Sequence, residues 1–227
     1  MTGRYGFLAI WCDMAPGDLD DYRAWLTQEH IADRTFSPGF LGVRLFEALD
    51  DPCSHFILYA TEGLEVLQGP AYKAILDAPS AWTQRIMPRF GPFDRALGAQ
   101  VLKLGNGFGA HVVVWRIAAG LRPDLNTLAA ALAPHVGVDG VVSLRLYRVD
   151  RGITDRHSVE KTMRGGAEGA FDWLLCAEAL SEDAARRAET RLGAALEGLF
   201  PGLQGADASC RRMIYGEAPH EGPTTRG

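Results

Sequence analysis

Two ten-residue stretches, GFLGVRLFEA at 39–48 and GVVSLRLYRV at 140–149, follow one plan. Each opens on glycine, alternates apolar residues, and carries Arg-Leu followed by an aromatic: Arg44-Leu45-Phe46 and Arg145-Leu146-Tyr147. Their surroundings repeat as well. Residues 110–117 overlay on 6–13, which sets Trp115 against Trp11, and 171–178 overlay on 55–62. A helix at 124–133 corresponds to the one around Tyr22 and Leu26. Self-similarity at about a hundred residues implies two copies of one supersecondary unit, and this limits the fold more than any other feature.

The first copy defines the unit. Residues 5–14 are short and rich in apolar and aromatic residues, as in a strand, and Pro16-Gly17 ends it. Asp18 or Asp20 can cap a helix whose Leu19, Tyr22, Leu26 and His30 share a face. Ser37-Pro38-Gly39 turns the chain into strand 40–48, and 55–61 is the next strand. A helical region from 62 to about 89 is broken at Gly69-Pro70 and Pro79-Ser80 and closed by a turn at 90–92. Strand 94–104 completes β-α-β-β-α-β, the ferredoxin-like order. In the second copy, Ser181 caps a helix running to about Leu199, and 211–216 is the last strand. Helices cover only one face of such a sheet, so the other must pack on something, and a second copy supplies it. The expected fold is α+β: two tandem ferredoxin-like (βαββαβ) repeats packed sheet to sheet as a barrel-like intramolecular dimer. The repeats span 1–104 and 105–216. An inserted polar loop at 150–169 reads as a lid or a plain surface loop. A disordered tail is expected at 217–227.

Mixed charges with a net of -5, and no dense Lys/Arg run, argue against a nucleic-acid partner. No apolar run approaches ~18 residues, and the start lacks a leader pattern, so neither a membrane span nor a signal peptide is expected. Cys12, Cys53, Cys176 and Cys210 are scattered, which suits a reducing cytoplasm. The six histidines show no HxH or HxxxH spacing, and nucleotide and serine-hydrolase motifs are missing. No metal and no cofactor is expected.

The stretch WLTQEHIADRTFSPGFLGVRLFEA, with the Trp82-Thr83 segment after it, resembles the dimeric α/β-barrel superfamily. That superfamily includes EthD-like proteins, antibiotic-biosynthesis monooxygenases, polyketide cyclases, muconolactone-type isomerases and haem enzymes related to chlorite dismutase. The resemblance implies the fold and leaves the reaction open, since one fold hosts many chemistries. It also implies that His30 lines a cleft, as histidines in matching helix-end motifs do.

His30 reads as a helix-end residue, where the dipole favours imidazolium, with Glu29 beside it, and could act as a general acid or base. The competing reading is a histidine that caps carbonyls or packs on Trp25. His135 is out of register with it, standing five residues before Gly140 where His30 stands nine before Gly39, so one site per chain is expected. Alternation places Trp11, Phe46 and Arg44 between the sheets, with His111 and Trp115 as second-copy counterparts. They could bind a planar ligand, with Arg44 clamping an anion; alternatively, the rings fill the core and the arginines pair with acids. Among the haem-binding members a histidine ligates iron, a minor reading for His111. Tyr22 and Tyr59 are candidate hydroxyl donors. The reading is a cofactor-independent enzyme acting on a hydrophobic aromatic or polyketide-like molecule by isomerisation, cyclisation, dehydration or lyase chemistry. A cofactor-free monooxygenase and a non-enzymatic binding or stress-related protein are the alternatives, and pairing into a homodimer stays open.

Overall fold

The computed structural model describes residues 5–118, 124–155, 157–164, 171–200 and 207–218. Strand β1 (Gly6–Met14) leads to α1 (Leu19–Trp25), which runs through a π-helical turn, Leu26–His30, into α2 (Ile31–Thr35). Strands β2 (Phe40–Ala48) and β3 (Ser54–Thr61) follow, then α3 (Pro70–Asp77), α4 (Ala81–Ile86) and β4 (Phe90–Gly105). The second half contains β5 (His111–Ala118), α5 (Leu125–Leu132), β6 (Val141–Val149), α6 (Arg151–Thr154), α7 (Val159–Arg164), β7 (Phe171–Ala179), α8 (Glu182–Leu199) and β8 (Asp207–Glu217).

Eight antiparallel strands close a barrel in the order β1-β3-β2-β8-β5-β7-β6-β4. Each half contributes four neighbouring strands, β4-β1-β3-β2 and β8-β5-β7-β6, in the same relative order. Two seams join the halves. β2 pairs β8 from Val43–Glu217 to Ala48–Arg211, and β4 pairs β6 from Gly98–Val149 to Gly105–Ser143. Full closure leaves no free sheet edge. Gly39 (φ 90°) and Gly140 (φ 83°) sit at matching points before β2 and β6, where the turn needs a left-handed backbone.

Alternation along the strands divides the core into three. One cluster, which includes Phe7, Trp11, Phe46, Phe56, Tyr147 and Leu174, fills the barrel interior. The opposite strand faces pack under the helices as two further clusters, one in each half. The overlay of Trp115 on Trp11 is one residue out of step. Val112 and Val114 point inward with Trp11, while Trp115 points outward under α5 and α8.

Three boundaries also shift. Residues 90–92 begin β4 rather than forming a turn. Glu217 belongs to β8 and Ala218 follows it; the rest of the expected tail lies outside the described residues. The inserted segment carries α6 and α7, and its residues 165–169 lie outside the described residues.

Candidate active site

His30 closes the π-helical turn, and the helix continues to Thr35, so the ring is not at a helix end. The dipole argument for imidazolium therefore fails. A π turn inserts an extra residue into a helical repeat and often marks a functional position. Here it leaves His30 buried at 4% exposure, with its ring against Trp25 at 4.0 Å between centroids. Arg34, one turn on, approaches His30 Nδ1 at 3.1 Å. A guanidinium can only donate, so Nδ1 accepts and the neutral ring carries its proton on Nε2. Arg34 also donates to the His30 carbonyl at 3.1 Å, and its Nη2 to both Glu160 oxygens at 2.9 Å. Burial works against the Arg34 charge, but Glu160, with Tyr59 and Tyr72 beside it, more than offsets it, so the guanidinium stays charged.

These groups line a void of about 20 Å³ between the helices and the first-half sheet. Tyr22, Tyr72, Arg95 and Glu160 contribute its polar groups, and Trp25, Ile57, Met87, Phe90 and Phe93 its apolar wall. The Tyr22 hydroxyl is hydrogen-bonded to the Cys12 thiol at 3.0 Å, and Arg95 donates to the Tyr72 hydroxyl at 3.2 Å. Burial, with Cys12 adding to it, pushes the Tyr22 phenol well above its ordinary value. The Tyr59 phenol is raised as well, by burial above all, and its hydroxyl is buried with no hydrogen-bond partner among the described residues. Tyrosines in this state stay protonated and act as donors.

The structure brings His30, Tyr22 and Tyr59 to one side of the sheet and separates the other predicted residues from them. Glu29 turns away to accept from Ser80, the N-cap of α4, and from Thr83 at 3.5 Å. The sequential Glu-His pair therefore does not act as a unit. Trp25 Nε1 donates to Thr83 Oγ1 at 3.1 Å, and Trp82 Nε1 to Asp21 at 2.9 Å, so Trp82-Thr83 ties α4 to α1. Trp11 and Phe46 fill the barrel interior against Phe56, Trp11 tilted on it at 4.8 Å and Phe46 stacked on it at 5.7 Å between centroids. The chamber expected between the sheets, with His30 at its mouth, is thus not where His30 lies.

Arg44 reaches a mouth of the barrel and contacts Glu178, as does Arg145 at 3.5 Å. His111 lies on the same strand face as Trp115, toward the second-half helices, and is not near His30. Burial lowers its pKa. A haem on His111 does not fit, because the space under those helices is filled by Trp115, Leu128, Leu132, Leu192 and Phe200.

Sequence reasoning missed three residues. Glu178 had a signal, since an acid inside the apolar run WLLCAEAL, 173–180, has to find a buried partner. Phe108 stood out as an aromatic in the Gly-rich linker GNGFG. Glu160, in the polar insertion, carried none. Among the described residues, no three or more His, Cys, Asp or Glu side chains group to hold a metal ion, and no helix is long and apolar enough to cross a membrane.

Solved structures place the fold in the dimeric α/β-barrel type. An anthrone oxidase-like protein aligns over 96% of this chain and 94% of its own, with a TM-score of 0.62 at 12% identity. A candidate monooxygenase from Fusobacterium nucleatum aligns over 96% of each chain, with a TM-score of 0.58 at 10% identity. One from Lactobacillus acidophilus aligns over 96% of this chain and 97% of its own, with a TM-score of 0.54 at 7% identity. At these identities the likeness is one of fold. No protein-family model matches the chain, and neither does any curated protein.

Proposed function

We propose that this chain is an enzyme of small-molecule metabolism, with the void on the helix side of its first half as the reaction chamber. One observation carries the reading. A buried neutral imidazole, held through Nδ1 by a charged arginine, lines an aromatic-walled void beside the phenols of Tyr22 and Tyr72. We read the chain as two ferredoxin-like copies, 1–104 and 105–216, of which only the first keeps this chamber. Matching strand order and the paired Gly39 and Gly140 turns support that division.

The substrate would be planar and apolar, with an oxygen that gains charge during reaction: an enolisable ketone, a phenol or a polyketide-like ring system. His30 Nε2–H donates to that oxygen, as a neutral imidazole does when a neighbouring positive charge keeps it from ionising. Arg34 and Arg95 stabilise the developing anion in a site shielded from water. Tyr22 and Tyr59 remain protonated and supply further donors. Glu160, the carboxylate lining the void, takes the proton that the substrate gives up once it parts from Arg34, and isomerisation, cyclisation, dehydration or lyase chemistry all begin from the anion left behind. The void as it stands holds about one water. Substrate entry therefore requires α7 to lift, parting Glu160 from Arg34. The second reading is a cofactor-free monooxygenase, in which the same anion passes its electrons to oxygen. The oxidase and monooxygenase descriptions of the fold relatives favour it.

The test is turnover of anthrone and of enolisable aromatic ketones, followed by oxygen uptake and by deuterium incorporation from solvent. His30→Ala should lower the rate by about 10²–10⁴ while the protein stays folded. Oxygen consumed in step with product selects the second reading, and exchange without oxygen uptake selects the first. A His30→Ala protein as active as the wild type overturns both.

A further inference from the structure

We propose that the barrel mouth around Arg44 is a second ligand site, built for a planar aromatic carboxylate and separate from the His30 chamber. A cavity of about 580 Å³ opens there, in the range of small-molecule pockets. Strands of both halves wall it. Phe7, Leu58 and Tyr147 supply its apolar floor, and Gln100, Lys103 and Arg44 its polar groups.

The charge at this mouth is not balanced. Glu178 is fully buried and takes the Gly109 N–H at 3.2 Å together with Arg44 and Arg145. Two guanidiniums thus share one carboxylate, and Lys103 adds a third positive charge. The Glu217 carboxylate, on the same rim, accepts from the Thr35 and Tyr215 hydroxyls.

The two arginines play different parts. Arg145 is 5% exposed and engages both terminal nitrogens: it donates to Ser143 Oγ at 2.8 Å and to the Gly107 carbonyl at 2.9 Å besides Glu178. Arg44 gives Glu178 only its Nη1. Its Nη2 and Nε have no hydrogen-bond partner among the described residues. They form the two-pronged edge that matches a carboxylate. Phe108, 61% exposed, lies over both guanidiniums, at 4.1 Å from Arg44 and 4.4 Å from Arg145. An aromatic ring is therefore already held at this mouth by stacking on cations. A planar acid would use the same surface, with its carboxylate on Arg44 and Lys103 and its ring over the floor.

The His30 chamber lies across the sheet. Ile57 and Leu58, adjacent on β3, line the two spaces from opposite sides, Ile57 the His30 chamber and Leu58 the barrel mouth. The proposal does not rest on the enzyme reading.

Titration of the whole chain with 2-naphthoate, followed by calorimetry, tests it. We expect saturable binding of one molecule per chain, and about 10–100-fold weaker binding to Arg44→Met, the effect of losing a charge-assisted pair. Ala60→Trp, at an exposed lining position, should block the mouth without touching a charge. Naphthalenemethanol, without the carboxylate, should bind at least about tenfold more weakly than naphthoate. His30→Ala should bind naphthoate like the wild type. Three results would overturn the site: no saturable binding to the folded wild type, equal affinity for the neutral alcohol, or binding that survives Ala60→Trp but falls with His30→Ala. Only the last would move the ligand to the helix-side chamber, so this site and the enzyme reading can fail separately.

Discussion

Single side chains at buried positions set the chemistry of this fold. His55 is fully buried with its ring edge-on to Tyr22 at 4.8 Å between centroids. Its Nδ1–H donates to the Cys53 carbonyl at 3.1 Å, and its Nε2 has no partner among the described residues. Burial lowers its pKa to about 4 from the ordinary 6.5. The unfolded chain therefore binds this proton at higher pH than the folded one. Stability contributed by the neutral ring is complete above about pH 6.5 and is lost as pH falls toward 4, by up to about 3 kcal/mol. His55→Gln should flatten that part of the stability profile. Urea midpoints at pH 4.5, 5.5 and 7.5 check this, and an unchanged slope in the variant would assign the acid sensitivity elsewhere. Helical periodicity put Tyr22 and His30 on one face, and in the structure both are buried under the helices, as is Tyr59. The His30 environment was not legible, because Arg34 and Glu160 act on it through packing, and one of them lies in the other half of the chain.

At the scale of elements, the segment between β6 and β7 does the least expected work. Its short helix α7 carries Glu160 across to Arg34, and both side chains are almost wholly buried, at 6% and 3% exposure. Removing one partner of such a pair leaves the other charge stranded, which typically costs 3–5 kcal/mol. Glu160→Gln should lower stability by about that amount and speed amide exchange across 157–164 more than in the barrel strands. The double change Arg34→Met with Glu160→Leu should recover most of the stability but not the activity proposed for His30. Uniform exchange across the chain would mean that α7 is no separate cover. Strand alternation read this level unevenly. Arg44 and Arg145 were paired correctly, because the Arg-Leu-aromatic motif fixes the register. Trp115 was not, because both faces of a barrel strand are apolar and alternation then carries no sign.

For the molecule as a whole, closure of the barrel is what joins the halves. The seams β2–β8 and β4–β6 are the sheet's only joins between them among the described residues. Opening them would expose Phe7, Trp11, Phe46 and Phe56 on one bare sheet face. Residues 1–104 expressed alone should therefore form a self-paired dimer or precipitate. Sedimentation at several concentrations checks this, and a stable monomer would show that closure is not needed. The order of elements along the chain was legible because the repeat could be aligned with itself. The position of the proposed chamber was not, because a sheet with apolar residues on both faces does not reveal which one borders a hollow.

Adjacent residues of β3 serve opposite compartments, Ile57 on one side and Leu58 on the other. A single inserted or deleted residue in that strand would hand each space the furniture of its neighbour. Length variation among descendants of this gene should therefore collect in the connections, while the strands drift only by exchange of one side chain for another.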